Sequence, residues 1–495
     1  MSSPVAVSPS APSPASRRRQ LAVLWLVGSP AAIGLLFVHA PDNSGFWLSQ
    51  LTYATLLVAL LLLKWHKDPF EPVLAVVAVY ALFYLRGLYL HYELNQELLN
   101  PVVRDNLQYL TRAMNYLTIG ILAYVAAYVS PVARALGSAI PQARWLRMPA
   151  DERQVLFLYA LAMGVSFLRI VFPGIVFFSK TVAVIAIMVG NLSYLAMFLF
   201  TTAAFRKHWA GQSRTLRLAV ILLLVQVALG LFSGYREPVA IALLTFLASY
   251  HYAGGRVRFW HIAAAGGLVV FVITPLVLSF RVLTWTASSN VGGLQALMSA
   301  PETMRNMVIA RTGSAAPGAW DFFKQFAELI SIVVMARFHG PDSIITILAR
   351  VPEELPFEWG RTLFFMPISA LIPRLLWPGK PDTGLGDYFR ETFWQGGGGS
   401  IAITQVGEFY LNFGVIGVVA GMAVLGILHR AFYEYVRRSM SMKLHALLVL
   451  ALPYFLVVDR DISLTYASVF KLVIFALVAL YFMRNTAGPA TTRTQ

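Results

Sequence analysis

Cysteine is absent from the 495 residues, which excludes disulfide staples and any thiolate-ligated metal site. Charge is scarce. Asp, Glu, Lys and Arg together make up 13% of the chain, roughly half of what soluble domains carry. Acids are the scarcer kind, 23 against 39 Lys and Arg, which leaves a net charge of +16. A water-soluble chain this long needs charge to cover its surface, and 58% apolar residues rule out wholesale disorder. Present instead are long apolar runs.

A run of about 20 apolar residues crosses the hydrocarbon core as a helix, because only a helix satisfies its own backbone there. Twelve runs qualify: 21–40, 46–63, 72–90, 109–130, 154–171, 181–205, 218–232, 239–253, 260–280, 409–428, 444–458 and 465–483. The expected fold class is therefore an all-α polytopic membrane protein. Residues 1–20 form a disordered cytoplasmic leader, and 21–280 carry the first nine spans. Residues 281–408 make one large extracytoplasmic loop domain, 409–483 carry the last three spans, and 484–495 are a cytoplasmic tail. Ser29-Pro30 suggests a kink in the first run, which is read as a retained span and not a cleaved signal.

Loop charge sets the orientation. With the amino terminus inside, the inner segments hold Arg17 to Arg19, Lys64, Lys67, Arg134, Arg144, Arg147, Arg153, Arg206, Lys207, Arg214, Arg217, Arg256, Arg258, Arg430, Arg437, Arg438, Lys443, Arg484 and Arg493. Those segments carry the whole +16 excess, and the rest of the chain is neutral. Both termini are then cytoplasmic, and the charge is a topology signal, with no case for nucleic acid.

The outer loop is expected to contain short amphipathic helices at 326–338 and 343–351, broken at Gly340-Pro341. Phe364–Trp377, with Pro367 and Pro373, suits a segment lying at the membrane interface or dipping into the membrane, and Gly396–Gly399 reads as a hinge or flexible connector. Asp387 and Glu391 lie a turn apart if that stretch is helical, with a solvated face as the commoner meaning.

Charges within a span are costly and mark function or snorkel to a head group. Arg86, Arg169 and Lys471 all fall in the outer halves of their spans, where the orientation rule disfavours them. Arg112 and Arg281 flank outer span ends, and Arg236 lies in the outer turn Ser233-Gly234-Tyr235-Arg236-Glu237-Pro238. A multiply charged phosphate group at the outer leaflet would attract such a set, since guanidinium forks bind phosphate in bidentate fashion. Ordinary lipid phosphates, or nearby acids such as Glu237, Asp459 and Asp461, are the alternative partners.

Three motifs stand together: Ser233-Gly234-Tyr235-Arg236, Ile372-Pro373-Arg374-Leu375-Leu376-Trp377-Pro378-Gly379-Lys380-Pro381, and Gly407-Glu408-Phe409-Tyr410-Leu411-Asn412-Phe413-Gly414. In this order on a twelve-span frame, the chain from the seventh span onward resembles the bacterial oligosaccharide repeat-unit polymerases of the Wzy type. The resemblance implies glycosyl transfer at the outer face of the inner membrane. The growing chain would leave undecaprenyl pyrophosphate for the next lipid-linked repeat unit, without metal, nucleotide sugar or other cofactor. Lipid-linked oligosaccharide and membrane lipid are the implied partners, with a chain-length regulator and a flippase beside them.

Such a reaction needs cations for the departing diphosphate and a hydrogen-bond acceptor for the incoming hydroxyl. Arg236, Arg281 and Arg374 are the candidate cations, with Lys380 as a point charge and Arg169 and Lys471 as further substrate contacts. Glu408, at the start of the tenth run, is the candidate base; a helix-dipole role is its plain alternative. His339 is a second candidate, because the related ligases use a loop histidine. Tyr410, Trp377, Trp394 and Phe393 offer faces for sugars, though interfacial belts use the same residues. Three other functions stay open, among them a purely structural membrane scaffold, which would not need the outer-half cations. A polysaccharide ligase would share the layout. A transporter of a lipid-linked anion would need repeated halves and broken midplane helices, which the sequence does not show.

Overall fold

The computed structural model describes residues 43–65, 67–92, 99–172, 180–281, 339–372, 385–394, 402–439 and 441–483, and isolated positions 299, 302, 305, 306, 324, 376, 377 and 379. The described residues are helical, with no strand among them. The long elements are α1 Asn43–Lys64, α2 Pro72–His91, α3 Leu110–Val129, α4 Pro131–Ala139, α5 Glu152–Val171, α6 Lys180–Trp209, α7 Arg214–Phe232 and α8 Arg236–Ala253. They continue with α9 Phe259–Leu268, a π-turn over Val269–Ile273, α10 Thr274–Arg281, α11 Gly340–Leu348, α12 Met366–Leu371, α13 Gln405–Arg437, α14 Met442–Leu456 and α15 Ile462–Phe482.

Eight helices among the described residues are long and apolar enough to cross a membrane, or nine if the α3–α4 pair, bent by 53°, is one span. The twelve expected runs are thus only partly matched. Run 21–40 lies outside the described residues. Run 239–253 is helical within α8 but is not among the eight, and run 444–458 is the shorter α14, with Pro453 inside it. The bundle turns apolar side chains outward, including Phe157 (71% exposed) and Ile416 (80% exposed), as a lipid-facing surface requires.

Local chemistry sets the helix ends. Ser130 accepts from Ala133 N–H and Pro131 takes the first position of α4, which turns the chain out of α3. Asp151 caps α5 and Asp461 caps α15 in the same way. Gly254 ends α8 at φ 120°, a backbone conformation that side chains disfavour.

One end of the bundle is basic and tightly knotted. Glu71 accepts from Lys64 at 2.8 Å and from Arg430 at 2.9 Å, and Arg430 reaches Glu434 at 2.8 Å. Asp68 accepts from the hydroxyls of Tyr433 (2.9 Å) and Tyr252 (3.0 Å). These bonds tie the α1–α2 turn to α8 and α13. Lys443 is buried there with its ammonium 3.4 Å from Leu480 O and 3.5 Å from Met483 O, where the negative end of the α15 dipole compensates its charge.

The described parts of 281–408 are not an appended layer. All nine residues of α11 are buried, so the helix expected to be amphipathic over 343–351 starts at Gly340 and is enclosed on every side. Gly340 lies against the Phe83 ring of α2 with no room for a side chain. The run 326–338 and the Gly396–Gly399 hinge lie outside the described residues. Within the stretch expected at the interface, Phe364 (64% exposed) before α12 and Ile368 (61% exposed) on it turn apolar side chains outward.

Candidate functional site

At the end opposite the basic knot, α13 does not enter as a straight rod. Thr404 caps it by accepting from Gly407 N–H at 3.0 Å. The helix then breaks at Phe413 (φ −141°, ψ 19°) and Gly414 (φ 60°, ψ −148°). In an unbroken helix Phe409 and Gly421 would stand about 18 Å apart. Here a Cβ on Gly421 would collide with the Phe409 ring, and one on Gly417 with the Phe409 carbonyl. The stretch Gln405–Asn412 therefore folds back beside the span that follows it. Val406 packs against Gly120 of α3, about 15 Å in from Leu110 at the rise of a regular helix.

Asn412 satisfies the break. Its amide donates to Glu408 O (2.8 Å) and Thr362 Oγ1 (2.6 Å), and its oxygen accepts from Gly360 N–H (2.9 Å). Ser463 donates to Thr362 O at 2.6 Å, which joins α15 to the same knot. The consequence is the placement of Glu408, which is 0% exposed. One carboxyl oxygen accepts from Ile462 N–H at 2.7 Å. The other, Oε1, is buried and completes no hydrogen bond among the described residues, although Thr362 lies near enough to influence the group. The neighbouring side-chain charge acting on Glu408 is another carboxylate, Asp461. The sequence places Glu408 at the membrane edge; the fold-back encloses its side chain in protein, level with the first residue of α15.

The turn Asp459-Arg460-Asp461, between α14 and α15, lies beside it. Burial pushes the carboxyl of Asp461 up, against the N–H of Leu464 and the charge of Arg460. Burial also pushes Asp459 up, and Arg460, His339 and Arg236 oppose it. Arg236 opens α8, and His339 sits at the N-cap of α11, with its ring edge-on to Trp394 at 5.6 Å. Arg236 of α8 and His339 of α11, far apart in sequence, thus fall within electrostatic range of Asp459, whose chain neighbour is Arg460.

Arg86 has a different partner from the one its position suggests. It forms a bidentate pair with Asp342 of α11, Nε to Oδ2 at 2.9 Å and Nη2 to Oδ1 at 2.6 Å. Burial raises the Asp342 carboxyl, but the hydrogen bonds and charges of Arg86 and His339 outweigh it and hold the group down at about 2. This pair pins α11 into the bundle and withdraws Arg86 from the set of phosphate-seeking cations.

Tyr194 of α6 lies within electrostatic range of both Glu237, next to Arg236, and Arg169. Arg169 is half-buried in the last turn of α5. Lys471 is half-buried further along α15, and Arg281 ends α10. Arg374 and Lys380 lie outside the described residues. Tyr410 is 7% exposed, stacked on Tyr116 at 5.2 Å and edge-on to Phe357 at 6.2 Å, so it serves packing in this conformation. Trp394 and Phe393 are likewise buried, and Asp387 and Glu391 lie on an exposed face. Among the described residues no group of three His, Asp or Glu side chains is placed to hold a metal. The sequence presents Asp459 and Asp461 only as partners for arginines and does not single out Arg460. The available signal is three consecutive charges in a short turn between two apolar runs.

The chain matches a family model described as a domain of unknown function (DUF8712) over residues 75–483. It belongs to that family. No curated protein and no solved structure matches it. The matched stretch spans α2 nearly complete through the end of α15, so it includes the fold-back of α13, α11 and the Asp459-Arg460-Asp461 turn.

Proposed function

We propose that this protein polymerises undecaprenyl-pyrophosphate-linked oligosaccharide repeat units by glycosyl transfer at the outer face of the bacterial inner membrane. The basic end then faces the cytoplasm with both termini, and the end holding Glu408 faces outward, as the charge of the connecting segments favours. Glu408 takes the proton of the acceptor hydroxyl while that oxygen attacks the sugar carbon. The carbon–oxygen bond to the diphosphate breaks, and its electron pair leaves with the lipid diphosphate. Arg236, and with it Arg460, is close enough to this end to offset the charge that develops on the leaving group.

The observation that carries the reading is the second oxygen of Glu408, buried and without a completed hydrogen bond among the described residues, beside a turn whose Asp459 lies within electrostatic range of Arg236, His339 and Arg460. A wholly buried carboxyl held by one backbone N–H is an expensive arrangement for structure alone. The motif resemblance supplies the substrate class.

The test is the surface glycan of a cell whose own polymerase gene is replaced by Arg236→Ala or Glu408→Gln. Long chains should vanish while single repeat units still reach the surface. Normal chain length in both variants contradicts the reading. Loss of single units as well turns the assignment to a ligase or a lipid-linked transporter.

A further inference from the structure

Deep in the bundle, a histidine joins two tyrosines that come from different helices. His429 of α13 has Nδ1 2.9 Å from the hydroxyl of Tyr124 of α3 and Nε2 2.9 Å from the hydroxyl of Tyr466 of α15. An imidazole used this way receives a proton on one nitrogen and gives one up from the other. None of the three is hydrogen-bonded to a charged side chain among the described residues, so no ion pair explains them.

Both ends of this triad extend by one helical turn to polar atoms that lack partners among the described residues. Residues four apart share a helix face about 5.4 Å apart. Towards the outer end, Tyr466 lies one turn below Ile462, whose N–H holds Glu408. Thr465 Oγ1, in the same turn, is buried with no such partner, as is Glu408 Oε1. Towards the basic end, Tyr128 lies one turn beyond Tyr124, and its buried hydroxyl is in the same state. The Tyr128 ring receives the Arg430 guanidinium at 5.4 Å, and Arg430 holds Glu71. Tyr80, within electrostatic range of Tyr124 and Tyr466, has a buried hydroxyl of the same kind. Buried polar atoms without partners among the described residues thus lie towards both ends of the triad, where bridging waters would complete their hydrogen bonds.

We propose that this seam is a proton path from Glu408, through Tyr466, His429 and Tyr124, to the Glu71–Arg430 knot at the basic end. The inference rests on the reading of Glu408 as the base. A base that is 0% exposed must pass on the proton it takes before it can act again. Each transfer balances: Glu408 gives its proton to a water or hydroxyl, every hydroxyl and the imidazole accept one and release one, and the last is delivered to water at the basic end. One passage leaves the imidazole proton on Nε2 in place of Nδ1 and the hydroxyls reversed, and their reorientation resets the path for the next proton. With the orientation proposed above, the proton moves inward, the direction in which a respiring membrane's potential drives cations.

The test follows the Glu408 proton directly, with no glycan present. Full-length purified protein is transferred into D2O, and infrared spectra report the protonated-carboxyl stretch lost in Glu408→Gln. Tyr466→Phe and Tyr124→Phe each remove one hydroxyl with little change in shape, and should slow deuteration of that group by about tenfold, the barrier set by roughly one lost hydrogen bond. Tyr159→Phe, whose hydroxyl bonds Leu222 O at 2.7 Å away from the seam, should exchange as the wild type does. Unchanged rates in both seam variants overturn the path, as does a carboxyl band that no pH brings out in the folded protein. Neither result touches glycan polymerisation, which is scored separately in cells.

Discussion

Phe409 lies directly against Gly421, on the same helix and well beyond a straight helix's reach, because Phe413 and Gly414 fold the chain back between them. That contact sets the depth of Glu408. Gly421→Val places a branched side chain where the ring now lies, and should cost about 1–3 kcal/mol by overpacking. Thermal unfolding of the purified variant measures the loss. Met422→Leu, a volume-matched change at the next position, serves as a control. It should unfold within about a degree or two of the wild type, the scale of a conservative core swap.

Asn412→Ala should destabilise the fold-back more than its size suggests. It leaves the Gly360 N–H and the Glu408 carbonyl without their present partners, at about 1–3 kcal/mol for each buried group left unsatisfied. Limited proteolysis between residues 402 and 414 reports the loosening. Asn412→Asp keeps the acceptor for Gly360 and loses both donors, so its cleavage should be intermediate or faster, never slower than the wild type.

The Arg86–Asp342 pair is buried on both sides, at 6% and 2% side-chain exposure. Removing one partner strands the other, so Arg86→Ala should cost about 3–5 kcal/mol, while Arg86→Met with Asp342→Leu should recover much of it. The pH dependence follows from the depressed Asp342 carboxyl. Its contribution is complete above the ordinary value of 3.8 and is lost as the pH falls towards about 2. Thermal unfolding across that acid range should therefore fall more steeply for the wild type than for Asp342→Asn.

The spans are legible in the sequence because burial in lipid demands unbroken apolar length. The run 181–205 lies within α6 and 72–90 within α2. The break in α13 is not legible, since Phe413-Gly414 is as apolar as the residues around it and only its backbone angles differ. The polar residues of α11 mislead for a related reason. Asp342, Ser343 and Thr346 look like a solvent-facing side, but Asp342 is paired with Arg86 across the chain, Ser343 bonds Gly340 O, and Thr346 bonds Ser343 O. Arg86 is legible as an unusual cation and its partner is not, because nothing local to either residue points to the other. Glu408 and Arg236 stand out in sequence by their motifs; that Asp461 lies next to the one and Asp459 within electrostatic range of the other becomes visible only in three dimensions.

The most direct measurement is polymerisation by the purified protein in proteoliposomes, supplied with a synthetic undecaprenyl-diphosphate-linked repeat unit and resolved by chain length. Wild-type protein should build a ladder of products and release lipid diphosphate with each addition, and Glu408→Gln, inserted and folded, should leave the substrate as single units. A Glu408→Gln protein that builds the same ladder at the wild-type rate would contradict the account.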